Sequence, residues 1–260
     1  TLKHSDARDL YTPKVKDKKP ALLKEINNSK LIAHKENAYN DFDYEGLIYK
    51  QLSQEGPALA VGDIDGDGNE DIFIGGAKKQ AGIVYKHNGK GRISVIPQPD
   101  LEEDEEYEDT AAAFFDADGD LDLDLIVGTG GNQVGEENNY RARLYLNNGK
   151  GTFVKSTEKL PSAFTNISTI APSDYDNDGD IDLFIGSRSV VGIYGINPDH
   201  LFLENKGDGT FENVTERIAY DLKDAGMITD ATCAYMDGDS KKDLITFEEL
   251  GAPKIFKNSG

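Results

Sequence analysis

An acidic loop that recurs four times constrains this chain more than any other feature of it. The first copy, GDIDGDGNEDIFIGG, spans 62–76 and sets Asp63, Asp65, Asp67 and Asp71 directly before the apolar run Ile72-Phe73-Ile74. FDADGDLDLDLIVG follows at 115–128, SDYDNDGDIDLFIG at 173–186 and YMDGDSKKDLITF at 235–247. Aligned on the last aspartate (Asp71, Asp124, Asp182, Asp243), the copies lie 53, 58 and 61 residues apart. A period of that length marks stacked or radially arranged supersecondary units.

A second element repeats in phase. GIVYKHNGKGRISV (82–95), RLYLNNGKGTFVKS (143–156) and HLFLENKGDGTFEN (200–213) each read as strand, Asn/Gly-rich turn, strand, the pattern of a hairpin. A short run of small or apolar residues precedes each acidic loop, as in Ala111-Ala112-Ala113-Phe114-Phe115, and a strand-like run such as Leu183-Phe184-Ile185-Gly186 follows it. One unit is therefore four short antiparallel strands, with the acidic loop joining the first to the second. The expected fold is all-β: a β-propeller of at least four such blades. Small first-strand residues suit an inner strand crowded toward a central axis. The units fall at about 57–97, 110–157, 168–215 and 230–260, within a propeller region 21–260. Residues 1–20 read as a linker or the tail of a preceding domain. The last unit stops after its third strand, and Ala21–Ile26 resembles a fourth strand. Two readings stand: a fragment of a larger ring cut within a blade, or a ring closed by 21–26. At most a turn of helix is expected near Glu216–Lys223. The run Leu101–Asp109 reads as a solvated acidic loop.

Counted from Asp63, carboxylates fall at positions 1, 3, 5 and 9 of the first three loops. The second copy has Asp116, Asp118, Asp120 and Asp124, and the third has Asp174, Asp176, Asp178 and Asp182. Position 7 (Asn69, Asp122, Asp180) offers a backbone carbonyl. Hard oxygen donors in this number suit Ca²⁺, which takes six to eight at flexible geometry; Mg²⁺ wants a stricter octahedron. Zinc would want His or Cys, and these loops hold neither. An EF-hand needs Glu at position 12, where Ile74, Val127 and Ile185 stand. The fourth copy keeps Asp237, Asp239 and Asp243 but has Tyr235 at position 1 and Lys241 at position 7. Three calcium sites are expected and a fourth is left open. Turn formation alone also clusters Asp, Asn and Gly, but it does not keep three copies in one register.

The net charge of −20 disfavours nucleic acid and anionic membranes as partners. Cys233 is the single cysteine, so neither an internal disulfide nor a CxxC metal motif can form. No apolar run approaches the length of a membrane helix, and the chain starts at Thr1 without methionine, as a processed or excised chain does. His4, His34, His87 and His200 neither recur nor group, and no hydrolase, zincin or P-loop motif is present.

DIDGDGNEDIFIGG followed by GIVYKHNGKG resembles the FG-GAP/VCBS-type repeat of integrin α-subunit propellers and bacterial surface proteins. The segment AHKENAYNDFDYEGLIYKQLSQEGPALAVGDIDGDG resembles secreted Bacteroidetes repeat proteins related to the cartilage acidic protein group. The resemblance implies calcium in the loops and ligand contact on the opposite face, at Gly76–Ala81, Thr129–Arg141 and Ser187–His200, including Arg188, Tyr194 and His200. It also implies an extracellular or cell-surface setting, with other domains of a longer chain as neighbours. The expected function is a calcium-dependent binding or adhesion module for protein or glycan, without catalysis. A calcium-dependent polysaccharide lyase or glycoside hydrolase, and a rigid structural spacer, are the alternatives.

Overall fold

Runs such as Asp71-Ile72-Phe73-Ile74 are too short for a stable helix and rich in β-branched and aromatic residues, which favours strand. Each of them forms one. The computed structural model describes Leu23 and residues 30–260. The expected linker 1–20 and closing strand 21–26 lie outside the described residues, Leu23 apart. Residues 33–260 make one compact unit.

This unit contains four antiparallel sheets, each wound in simple sequence order. The first holds β1 (Leu59–Gly62), β2 (Asp71–Ile74), β3 (Ile83–His87) and β4 (Ile93–Ile96). The second holds β5 (Asp109–Phe115), β6 (Asp124–Thr129), β7 (Ala142–Asn147) and β8 (Phe153–Lys155). The third holds β9 (Ile167–Ser173), β10 (Asp182–Ser187), β11 (Leu201–Asn205) and β12 (Phe211–Asn213). The fourth has three strands, β13 (Ile228–Ala234), β14 (Asp243–Glu248) and β15 (Lys254–Phe256). These are propeller blades. Each acidic loop joins the first strand of a blade to the second, with Gly62 opposite Asp71, Phe115 opposite Asp124 and Ser173 opposite Asp182.

The outer hairpins turn on glycines held at positive φ, where a Cβ is strained. Gly149 and Gly151 stand at φ 71° and 73°, Gly207 and Gly209 at 78° and 76°. Asn148 N–H closes one turn on the Thr152 carbonyl at 3.2 Å, and Lys206 N–H closes the next on Thr210 at 2.9 Å.

The core lies between blades. Ala60, Phe73, Val84, Leu125, Val127 and Phe153 fill the space between the first and second. Ala111, Ile126, Leu144, Ile167, Leu183 and Leu203 fill the next, and Phe184, Phe202, Leu222, Ile228 and Leu244 the third. The central strands β6 and β10 are accordingly buried along their whole length, as strands packed on both faces must be. In the end blades, Leu59, Val61, Phe247 and Ile255 are exposed.

In each of the first three blades a glycine stands at the end of the second strand, Gly75 just past β2 and Gly128 and Gly186 next to last in β6 and β10, because the neighbouring inner strand approaches its backbone. A Cβ on Gly128 would lie 2.5 Å from Ile167 Cγ2, and one on Gly186 would lie 2.8 Å from Ile228 Cγ2. The fourth blade has Phe247 at this place. Inner strands are also bonded to one another through hydroxyls. Thr110 Oγ1 donates to the Ile167 carbonyl at 2.6 Å, and Ser168 Oγ donates to the Ile228 carbonyl at 2.6 Å.

Two local expectations change. The run Leu101–Asp109 is only partly a solvated loop: it begins within a single turn of helix, α1 (Pro99–Glu102), and Leu101, Asp104, Glu108 and Asp109 are buried while Glu102, Glu103, Glu105 and Glu106 are exposed. The cause is Arg143, a buried guanidinium on β7 that pairs with Asp109 and lies 3.7 Å from Asp104, whose carboxylate also takes Lys155 Nζ at 2.6 Å. A buried charge requires such partners, and they come from a strand distant in sequence. The stretch at 215–224 holds two short turns, α2 (Thr215–Ile218) and a 3-10 turn over Tyr220–Asp224, in place of one.

Candidate metal centres

Each acidic loop is wound by its own carboxylates. The position-1 aspartate turns back onto loop amides: Asp63 accepts from Asp67 N at 3.1 Å and Gly68 N at 2.8 Å. Asp116 accepts from Gly119 N at 2.8 Å and Leu121 N at 3.1 Å, and Asp174 from Gly179 N at 3.2 Å. The wrap needs left-handed residues, supplied by Gly66, Gly68, Gly119 and Gly179 at φ between 69° and 102°. Leu121 (φ 71°) and Asn177 (φ 61°) take the same conformation without being glycine.

Three carboxylates converge in each of three loops. In the sets Asp63, Asp65, Asp71, then Asp116, Asp118, Asp124, then Asp174, Asp176, Asp182, one oxygen from each residue lies within 4.8 Å of the other two. These three clusters can hold a metal ion. The donor set fits a hard divalent cation, and the local polar balance asks for one. Asp65 Oδ1, Asp118 Oδ1, Asp122 Oδ1 and Asp174 Oδ1 are buried with no hydrogen-bond partner, which is costly unless something cationic meets them. Burial, with Asp120, Asp118 and Asp116 alongside, pushes the Asp122 carboxyl up to about 6. Burial raises Asp118 and Asp176 too, with Asp120 and Asp178 adding repulsion.

The position-9 aspartate has a further, structural role. One Asp124 oxygen accepts from Ala117 N at 2.8 Å and the other from Asn147 N at 2.7 Å, tying the loop's start to β7. Asp71 does the same with Ile64 N and His87 N, and Asp182 with Tyr175 N and Asn205 N. Burial raises all three carboxyls, Asp124 and Asp182 to about 7. Residues 63–127 and 130–185, which carry the first three loops, match the family described as FG-GAP-like repeat. The chain carries FG-GAP-like repeats. Among solved structures it is similar to a lectin of Agrocybe aegerita, reported for specific recognition of non-reducing terminal N-acetylglucosamine. That match has 17% identity over 79% of this chain and 67% of that one, at a TM-score of 0.38. No curated protein matches the sequence.

The FG-GAP-like loops use their other acidic positions differently from the count along the sequence. Asp67, Asp120 and Asp178 at position 5 stand outside the convergent sets; each accepts the N–H of position 7, from Asn69 at 2.9 Å, Asp122 at 3.1 Å and Asp180 at 2.9 Å. In the fourth loop, Asp237, Asp239 and Asp243 form no such set among the described residues. Asp243 keeps only the structural role, accepting from Met236 N at 3.1 Å and Asn258 N at 2.9 Å. Lys257 Nζ pairs with Asp237.

The opposite face, where the connections 75–82, 130–141 and 188–200 lie, is occupied by a segment to which no role could be read from its residues. Residues 33–56 run across it without strands, and their carboxylates bind its loops. Glu45 accepts from Asn132 Nδ2 at 2.5 Å and Tyr194 N at 2.7 Å; Glu55 accepts from Arg188 Nε at 2.8 Å. Of the three side chains singled out there, Arg188 is buried between Glu55 and Glu249. Tyr194 donates its hydroxyl to Glu249 at 2.8 Å. His200 is buried, its Nδ1 accepting from Ser187 N at 3.0 Å, and burial lowers it to about 4. All three are committed internally. A cavity of about 380 Å³ remains over the starts of the inner strands, lined by Lys50, Gln54, Thr110, Asn166, Ser168 and Thr229 among others. The buried Asn166 Oδ1 has no partner. No helix among the described residues is long and apolar enough to cross a membrane.

Proposed function

We propose that this chain is an extracellular calcium-binding β-propeller module that binds a protein or glycan on the cell surface and acts by binding rather than by catalysis. The observation that carries the reading is the triple recurrence of one convergent aspartate triad, each on a tight loop, with unpartnered buried oxygens in all three loops. The donors are all hard oxygens and the loop is short and adjustable, which favours Ca²⁺ over Mg²⁺ or Zn²⁺. An ion supplies the positive charge that these carboxylates lack, and it pins the first strand of a blade to the second. Asp63, Asp65 and Asp71 and their two counterpart sets hold it. Modest affinities, with Kd on the order of 10⁻⁴–10⁻³ M, fit calcium-rich extracellular fluid. The cavity above the inner strands, with hydroxyl and amide groups at hand, is the place proposed for a hydroxyl-bearing ligand.

The test is thermal unfolding of the chain, verified metal-free by elemental analysis after EDTA, then with calcium restored. At tenfold excess over Kd each site contributes about 1.4 kcal/mol. Three sites raise Tm by about 10 °C for a unit of this size. An unchanged Tm refutes the calcium reading. A glycan array run with and without calcium tests binding. Turnover in a reducing-sugar or unsaturation assay, abolished by one substitution that leaves Tm intact, refutes the non-catalytic part.

A further inference from the structure

The four blades place different residues at one position beside the acidic loop. In every blade the last loop aspartate accepts a backbone N–H from the third strand or just past it: from His87 at 2.7 Å, Asn147 at 2.7 Å, Asn205 at 2.8 Å and Asn258 at 2.9 Å. The residue before that donor is Lys86, Leu146, Glu204 and Lys257 in turn. Lys86 Nζ pairs with Asp65 and lies 3.1 Å from Asp67 Oδ2, so it reaches a member of the first convergent triad. Lys257 Nζ makes the corresponding reach to Asp237, in the loop whose carboxylates do not converge. Leu146 brings no charge to the second loop. The nearby Lys159 donates to the Asp208 carbonyl and makes no ion pair with the second triad among the described residues; its charge acts on Asp118 only from beyond ion-pair distance. Glu204 is held by the Tyr175 hydroxyl at 3.0 Å, by Lys206 at 2.7 Å and by Arg217, which neutralise it outside the third triad.

We propose that Lys86 is a built-in counter-cation of the first loop. Its ammonium holds the aspartates when no divalent ion is bound, must withdraw when one binds, and makes the first loop the weakest of the three sites. The proposal rests on the metal reading above. Lys86 is on a flexible stem and partly exposed, so it can move aside without disturbing β3. Its single charge about 5 Å from a bound dication, in a water-like dielectric, opposes binding by a factor of about ten. The second and third loops then fill first and the first loop follows at roughly tenfold higher calcium, giving one molecule a two-range response.

Calcium titration by calorimetry, with terbium luminescence as a second readout, tests this on the EDTA-treated wild-type chain, K86M, K86R and L146K. Wild type is expected to show two classes of site. K86M should tighten the weaker class about tenfold with the number of sites unchanged, and K86R should leave it weak. L146K should weaken one tight site. Leu146 is partly buried, so that variant is read only if its circular dichroism matches wild type; K86M stands alone if it does not. An isotherm unchanged by K86M, or one tightened at all sites equally, overturns the proposal while sparing the metal reading. Absence of binding in every variant overturns both.

Discussion

Replacing Gly128 with alanine tests the claim that blades are spaced by a glycine contact. Gly128 is on β6, buried on both faces. An added Cβ would lie 2.5 Å from Ile167 Cγ2, 3.1 Å from Ile167 Cβ and 3.3 Å from Ala111 Cβ. The first distance is far inside contact, and both neighbours belong to inner strands that cannot shift without disturbing the Thr110 to Ile167 hydrogen bond. Overpacking of this kind costs about 1–3 kcal/mol. Loss of glycine's unfolded-state freedom offsets about 0.4–1 kcal/mol of that. A net loss of about 1–2 kcal/mol lowers Tm by about 2–8 °C in a domain of this size. The assay is calorimetric unfolding at fixed millimolar calcium, repeated in EDTA so that metal effects separate from packing. The control is Gly46→Ala, an exposed glycine where a Cβ meets nothing within 4 Å; with no overpacking to oppose the unfolded-state gain, it should raise Tm by about 1–4 °C. Ile167→Ala alone should cost about 2–5 kcal/mol as a cavity. Combined with Gly128→Ala it should cost at least about 1 kcal/mol less than the sum, because the new methyl enters the vacated space. A Gly128→Ala protein with wild-type Tm, or strict additivity in the double variant, would refute the reasoning.

Other outcomes follow from the site. Asp118→Asn should reduce the calcium-induced rise in Tm and, by removing a buried charge that Asp120 and Asp116 repel, raise the EDTA value slightly. Asp243→Ala should lower Tm by about the same amount with or without calcium. It strands the Met236 and Asn258 amides, worth about 1.5–3 kcal/mol each when bonded to a charge; a purely calcium-dependent loss would argue against its structural role. Glu108 is buried on the face opposite the loops, and burial, the dominant effect, raises it from 4.5 to about 7. Between those values the native state keeps a proton that the unfolded state has released, so this group's contribution to stability falls as pH rises through that window. Glu108→Gln, fixed in the neutral form, should gain on wild type by about 2–3 kcal/mol from pH 4.5 to pH 8. Chemical denaturation in EDTA at several pH values measures it, and a pH-independent difference would contradict the assignment.

Much of this architecture was legible along the chain. Apolar runs of four to seven residues, left-handed Asn-Gly turns and a recurring acidic loop act within a few residues of one another, so periodicity exposes them directly. That carboxylates gather in these loops was legible for the same reason. Which of them converge was not. Position 5 looks like position 3 in the sequence, yet Asp67, Asp120 and Asp178 stand outside the convergent sets, each with one oxygen on the amide of position 7. Position 9 persists in the fourth loop because it stitches the blade together, whether or not an ion is near.

The sequence by itself determined the blades, their number among these residues and the loops where carboxylates gather, because each of those is a local consequence of spacing and side-chain chemistry. Only the tertiary structure decided which charges are neutralised from afar. Arg143 reaches back to Asp109, Arg188 joins Glu55 to Glu249, and residues 33–56 cover the face opposite the loops. These contacts join residues between 34 and 133 positions apart. Electrostatic pairing at such separations depends on how blades stack, and no local pattern encodes it.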